Sequence, residues 1–220
     1  MTEIRRALQQ RDQALHFISH DIRAPNASIL TLLEMQRNSM EPLQADELLK
    51  RIEKYAQASL SMAESFVRLA SAQNNEYRVA PLDLASVLQD AVDDAWTQAS
   101  NQEVSVTILQ IPHSAPCVGD RPLLARAMAN VLNNAIKYSP ARGTVRCSLY
   151  ARGPNWVISI RDEGPGIDPA QQDRLFKPFS RLHDQTHPNI SGVGLGLALV
   201  HTVVKRHGGS LELESAVGQG

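Results

Sequence analysis

The sequence predicts an α+β chain in two parts. An antiparallel helical hairpin, paired into a four-helix bundle as a dimer, comes first, and an α/β sandwich whose mixed sheet is covered by helices on one face follows it. Three observations carry this prediction. Apolar residues keep a seven-residue spacing through the first third of the chain, the remainder alternates stretches of period two with stretches of helical period, and the change falls just after Asn74-Asn-Glu.

From Ile4 to about Asn38, Leu8, Leu15, Ile22 and Ile29 occupy one seam position and Ile4, Ile18 and Leu32 the other, with Arg11 as the interruption. A second helix, from about Asp46 to Gln73, carries Leu48, Ile52, Tyr55, Ser59, Met62, Phe66 and Leu69 in alternating steps of four and three. The link Ser39 to Ala45 is short, so the two helices are expected as antiparallel neighbours. A lone two-helix hairpin leaves apolar surface uncovered, so two copies are expected to pair as a homodimer. This assigns residues 1–75 to the hairpin and 76–220 to the second domain.

In that second domain Tyr77 to Leu82 reads as a strand. Asp83 to Gln102 reads as an amphipathic helix capped by Asp83, and Val104 to Ile111 as an alternating strand. A helix from Arg121 to about Tyr138 precedes a hairpin of Val145 to Tyr150 and Trp156 to Asp162, turning at Arg152-Gly-Pro-Asn155. The last helix spans about Leu195 to His207, Gly208-Gly209 stop it, and Ser210 to Glu214 read as a strand.

Composition narrows the function. A net charge of -1, with no run of five like charges, gives no electrostatic footprint for nucleic acid and no polybasic arm for a membrane surface. The longest apolar run, Gly192 to Val204, is broken by glycines and His201 and falls short of the roughly 20 residues of a spanning helix. The polar first residues do not resemble a signal peptide. Cys117 and Cys147 stand in no metal or redox spacing, which suits structural thiols in a reducing, cytoplasmic compartment.

The chemistry-bearing residues fall in four places. In His16-Phe-Ile-Ser-His20-Asp-Ile-Arg-Ala-Pro25 the heptad puts His20 on the face away from the partner helix. Asp21 beside it could take a proton from one ring nitrogen and leave the other free to attack, while Pro25 loosens the helix just beyond. His16 and His20 could also pair on a metal, but no third ligand lies nearby. On the helix 121–138, Asn130, Asn134 and Lys137 fall within an arc of about 60°. That stripe is either plain solvent surface or a set of amide oxygens for hydrated Mg²⁺ beside a lysine for phosphate. Leu124, Ala127, Val131 and Ala135 form its buried side. Asp162-Glu-Gly-Pro-Gly-Ile167 is either a tight turn or a loop whose glycines admit a flat ligand and whose carboxylate accepts from an exocyclic amine. Gly192-Val-Gly-Leu-Gly196 opens the last helix, where free N–H groups favour phosphate. Its spacing matches neither the dinucleotide fingerprint nor the P-loop. Between the two glycine loops, Phe176-Lys-Pro-Phe179-Ser-Arg181 and the polar run His183 to Ser191 read as a lid.

Taken together, the order of these motifs resembles that of the sensor histidine kinases of two-component signalling. HFISHDIRAP resembles the H-box, NVLNNAIKYSP the N-box, DEGPGI the G1 box, FKPF the F-box and GVGLGL the G2 box. The resemblance covers nearly the whole chain. It implies a dimerisation and histidine-phosphotransfer hairpin followed by a Bergerat-type ATP-binding domain, with ATP and Mg²⁺ as cofactors and a response regulator receiver domain as partner. Carried over, His20 accepts the γ-phosphoryl group and Asp21 acts as its base. Asn134, helped by Asn130, binds Mg²⁺, with Lys137 and Tyr138 beside the phosphates. Asp162 reads the adenine amine, Gly164, Gly166 and Ile167 shape that pocket, and Gly192, Gly194, Leu195, Gly196 and Leu197 form the phosphate loop. Arg181 reaches the γ-phosphate from the lid. Full-length relatives are frequently anchored to a membrane through an upstream region.

The chain departs from the pattern in several places. Ala24 stands four residues after the histidine, where the family often has the Thr or Asn tied to dephosphorylating the partner, so weak phosphatase activity is expected. Asn26 replaces a more usual apolar residue. The family's last strand is expected to be cut short at Gly220. Two other classes compete. A non-catalytic nucleotide-binding dimeric scaffold has no need of an intact His20-Asp21. A chaperone or topoisomerase-type ATPase needs a catalytic Glu in the helix where this chain has Asn130-Val-Leu-Asn133.

Overall fold

The computed structural model describes residues 22–39, 42–74, 77–172, 174–178, 180 and 194–220. The chain divides into two compact units, with the boundary between Ala70 and Ser71.

The first unit is helical, with residues 22–38 forming α1 and Ala45–Asn74 forming α2. Where the predicted seam falls on described side chains it is the less exposed side of both helices; Ile4, Leu8, Leu15 and Ile18, and the side chains of Phe66 and Leu69, lie outside what the structure describes. Ile22, Ile29 and Leu32 on α1, and Leu48, Ile52, Tyr55, Ser59 and Met62 on α2, are half-buried while their neighbours are mostly exposed. Asn26 has a place in this seam after all: its amide donates to Ile22 O at 2.9 Å and to the Ser59 hydroxyl at 3.3 Å. The turn is closed by one side chain, because Gln36 Nε2 donates to Leu43 O at 2.8 Å while its Oε1 accepts from Leu43 N at 2.9 Å. The described helices include none long and apolar enough to cross a membrane.

The second unit runs β1 (Ala80–Asp83), α3 (Leu84–Asn101), β2 (Ser105–Gln110), β3 (Pro116–Gly119), α4 (Arg121–Tyr138), β4 (Thr144–Arg152), β5 (Asn155–Arg161), the single turn α5 (Pro169–Gln172) and α6 (Gly196–Arg206). The ladders fall into two sheets. β1 pairs antiparallel with β3, and β4 lies between a parallel β2 and an antiparallel β5. Trp156 joins the sheets, its indole N–H donating to Pro116 O at 3.0 Å. Along β4 the side chains alternate as a half-covered sheet demands: Val145, Cys147 and Leu149 are fully buried under the helices, and Thr144, Arg146, Ser148 and Tyr150 face outward.

The core is built from Val87 and Leu88 of α3, Leu132 and Ile136 of α4 and these β4 residues. Each large side chain so buried contributes on the order of 2 kcal/mol. Burial pushes the Cys147 thiol up to about 11, and raises Cys117 as well, so both cysteines are free, protonated packing residues at neutral pH. Asp83 caps α3 as expected. Its carboxylate accepts from Ala85 N, Ala115 N and the Ser114 hydroxyl at 2.8–2.9 Å.

Three expectations are corrected. β1 begins at Ala80 rather than Tyr77. Residues 209–216 are not a strand, although Leu211, Leu213 and Ser215 alternate inward and Glu212 forms a two-pronged ion pair with Arg152 at the end of β4. The buried side of α4 is Ala127, Met128, Leu132, Ala135 and Ile136, with Leu124 and Val131 only half covered. The physical reason is that α4 packs against both α3 and α6 as well as the sheet, so its apolar arc is wider and turned from the one a single neighbour would select.

Candidate functional site

The site is assembled on α4, which is pinned at its start by a buried carboxylate. Asp120 is 7% exposed. It caps the helix by accepting from Leu123 N at 3.1 Å, and its other oxygen accepts from Arg78 N at 3.1 Å. Its own N–H donates to His207 Nε2 at 3.0 Å, so the ring proton sits on Nδ1 and is given to Val203 O at 2.8 Å. This ties the end of α6 to the start of α4. Gly119 permits the approach: a Cβ there would lie 2.7 Å from the His207 ring. Tyr77 closes the cluster edge-on to His207, with ring centroids 4.8 Å apart. Replacing Asp120 by alanine removes the cap and strands the Arg78 N–H, an expected loss of about 2 kcal/mol. The check is a thermal melt, with the midpoint lowered by roughly 4–8 °C.

Farther along, α4 meets the glycine loop that opens α6. The Asn130 amide nitrogen donates to Arg126 O at 2.9 Å, which leaves Oδ1 facing Gly196. A Cβ on Gly196 would stand 2.8 Å from that oxygen, so a larger residue there would push the Asn130 amide out of its present place. Gly194, at φ 70°, supplies the left-handed turn before it. Leu195 precedes α6 as its N-cap and provides no side-chain cap, so among the described residues the first N–H groups of the helix are open to a ligand; Leu195 is buried and Leu197 half-buried. Phe176, from the FKPF stretch, lies 6.2 Å from the His201 ring on α6. Asn134 and Lys137 continue the Asn130 stripe, both half-buried, and the Lys137 ammonium sits 5.1 Å from the Tyr138 ring centroid.

At the far end of α4, Gly164 comes against the Tyr138 carbonyl, 3.1 Å from where its Cβ would be. Gly164 N donates to Asp162 Oδ1 at 2.8 Å, which sets the carboxylate and leaves Oδ2 without a partner among the described residues. Gly166 is left-handed at φ 70°. From Asn130 to Tyr138 is eight residues, about 12 Å of helix axis. The Asp162 loop and the glycine loop are therefore held at separate stations along one rigid element. The amide oxygens of Asn130 and Asn134 suit Mg²⁺, which takes oxygen ligands and completes its shell with phosphates and water.

Several residues of the site were not anticipated from sequence. Glu163 anchors the loop to the sheet, its carboxylate accepting from Thr144 N at 3.1 Å and from Arg146 at 2.8 Å. Arg161, the cross-strand partner of Arg146, adds a second positive charge that acts on it. The Thr144 N–H first, and then Arg146, hold the Glu163 carboxyl below its usual value, and the hydrogen bonds from Ala115, Ser114 and Ala85 do the same for Asp83. Both groups thus bind protons less readily folded than unfolded. Their stabilisation is complete above the ordinary carboxylate range, about 4, and is lost as pH falls from there through the lowered folded values. Melting midpoints recorded against pH are expected to fall on that side, and the fall is expected to be shallower in a Glu163→Gln, Asp83→Asn double variant.

His20, Asp21, Arg181 and Gly192 lie outside the described residues. The structure brings together Asn130 with Gly196, and Tyr138 with Gly164 and Asp162.

Comparison with known proteins adds a family and relatives. Residues 119–220 match the histidine kinase-, DNA gyrase B- and HSP90-like ATPase family. Over 99% of its length the chain is 30% identical to the adaptive-response sensory kinase SasA of Synechocystis sp., spanning 59% of that protein. Among solved structures, it is 35% identical to a mycobacterial sensor histidine kinase, MprB, over 60% of this chain and 81% of that one, with a TM-score of 0.50. The fold extends over 93% of this chain and 57% of the histidine kinase ThkA, solved in complex with response regulator protein TrrA, at a TM-score of 0.74 and 16% identity. The chain spans about half to three-fifths of the curated relatives it matches.

Proposed function

Because this chain belongs to the sensor histidine kinases, we propose that it transfers the γ-phosphoryl group of ATP to His20 and passes it on to an aspartate of a response regulator. The observation that carries the proposal is the gathering of Asp162, Gly164, Tyr138, Asn130 and Gly196 along α4. A flat base fits the Asp162 end, where the free carboxylate oxygen can accept from an exocyclic amine. The phosphates fit the other end, at the uncapped start of α6.

In this mechanism Asn130 and Asn134 would hold Mg²⁺, which would supply charge neutralisation. Lys137 adds a positive charge on the same stripe, and Arg181, outside the described residues, would supply a second charge for the γ-phosphate. Asp21 takes the proton from one nitrogen of His20. The other nitrogen bonds to the γ-phosphorus as the bond to the β-phosphate oxygen breaks and ADP leaves. Residues 1–75 serve as the dimerisation and phosphotransfer piece and 76–220 as the ATP-binding piece; the helix of α2 running to Asn74 supports that division. Pairing of two copies is supported by the apolar residues left outside the hairpin seam. Leu30, Met35, Leu49, Leu60 and Val67 are each more than half exposed. The compartment is the cytoplasm, where ATP is available.

Ala24 is exposed on α1 and has no side-chain polar group to orient water. The protein is therefore a kinase with weak phosphatase activity, and Ala24→Thr is expected to speed loss of phosphate from the regulator in the presence of ADP. The proposal as a whole is tested with γ-labelled ATP and Mg²⁺. Label that remains on the chain, stable in alkali and lost in acid, supports it. Label that appears only as free phosphate indicates a hydrolytic ATPase, and nucleotide binding without either indicates a scaffold.

A further inference from the structure

The segment after α6, which shows no strand, makes its most specific contacts with the loop that carries Asp162. Between Asp162 and Pro169 the backbone is in neither helix nor strand, so its polar groups need partners from elsewhere. The last six residues supply them. The Ser215 hydroxyl accepts from Ile167 N at 2.9 Å and donates to Gly220 O at 2.8 Å, which uses its one proton and one of its lone pairs. Gly218 N donates to Pro165 O at 2.7 Å. Gln172 reaches across from α5, its amide donating to Ile167 O and to Ser215 O, both at 3.2 Å. Gly166 backs onto the Ala216 carbonyl so closely that any Cβ would collide with it.

This turn is stiff in its own right. Gln219 N donates to Ala216 O at 2.9 Å and Ala216 N to Gly220 O at 3.2 Å. It is also tied to the sheet, through the paired hydrogen bonds of Arg152 and Glu212 three residues before Ser215. On the opposite side of the loop Glu163 holds the start of β4. The loop is thus fixed at Glu163 and at Ile167, with Gly164 and Gly166 between the two anchors.

We propose that Ser215, with the turn Ala216–Gly220, is a positioning device for the nucleotide site. It sets the Asp162–Ile167 loop in its purine-reading shape before the nucleotide arrives, without touching the nucleotide. The proposal rests on the reading of Asp162 as the group that accepts from the purine amine. Its physical content is preorganisation: a loop already held in the bound shape binds more tightly because less ordering remains to be done on binding.

The test uses the full 220-residue chain. Ser215→Ala removes the acceptor for Ile167 N and the donor to Gly220. The dissociation constant for Mg-ATP is expected to rise on the order of three- to tenfold, the range of one or two net hydrogen bonds. The autophosphorylation rate at saturating ATP is expected to stay as in the parent chain, and discrimination of ATP against GTP to fall. Ser215→Thr, which keeps the hydroxyl, is expected to restore both affinity and discrimination. A purely structural serine would lower the melting midpoint and leave purine discrimination unchanged, and that result overturns the proposal. So does a threonine variant that binds as poorly as the alanine one. Should the alanine variant not fold, amide exchange decides the matter in the unaltered chain: Ile167 N–H is expected to be protected without nucleotide, and rapid exchange overturns the proposal. If Asp162→Asn binds ATP normally, the underlying reading fails. If it loses ATP while Ser215→Ala does not, only the present proposal fails.

Discussion

A His20→Gln chain is expected to take up no phosphate from γ-labelled Mg-ATP while binding the nucleotide as tightly as the parent. Glutamine approximates the size and polarity of imidazole but has no ring nitrogen to act as nucleophile, so the loss is complete rather than partial. Nucleotide affinity should not change, because the residues gathered on α4 all lie more than a hundred positions away in sequence and in the other compact unit. Measuring the two quantities on one preparation separates a lost acceptor from a damaged fold. Residual acid-labile label in the variant would mean that another histidine accepts the phosphoryl group. The chain has seven, of which His16 is nearest to His20 in sequence.

Asp162→Asn carries the second large effect, this time on binding. The carboxylate already spends one oxygen on Gly164 N, so its value to the ligand lies in the other. An asparagine can keep the turn through its amide oxygen, but it then presents an NH₂ donor toward the amine of adenine, two donors facing each other. A hydrogen bond to a charged group is worth about 1.5–3 kcal/mol, so ATP affinity is expected to fall on the order of 10- to 100-fold. GTP, with a carbonyl where adenine has its amine, should gain relative to ATP. Calorimetric titration of both nucleotides against both chains reads the affinity and the preference together. An unchanged preference would detach Asp162 from the purine.

Particular elements show what could be read from sequence and what could not. The sequence predicts α4 from Arg121 to about Tyr138 and it is found there, because its helical periodicity is long. The described part of the hairpin seam is legible residue by residue for the same reason. The two-residue turn at Gly153-Pro154 likewise marks where β4 hands over to β5. β3 was missed because four residues opening on Pro116 carry too little alternation to stand out. Ser210 to Glu214 has the alternation of a strand but no ladder. Pattern states which face is wet, while pairing depends on a neighbour.

The site divides in the same way. Its glycines and its acidic and amide residues stand in recognisable motifs, whereas the bonds that place them join residues far apart in sequence. Asp120 N to His207 spans 87 positions and Ile167 N to Ser215 spans 48. No short window contains both partners.

The spacing of the two stations along α4 bears on how such a chain can vary. A single residue inserted between Asn130 and Tyr138 would turn everything beyond it by about 100° and advance it by about 1.5 Å. Gly164 would then meet a different face of the helix from the one aligned with Gly196. Substitutions in this stretch trade one side chain for another and leave the alignment intact, but a change of length cannot be absorbed. The eight-step stretch therefore acts as a gauge block, of fixed length, whatever sequence it carries.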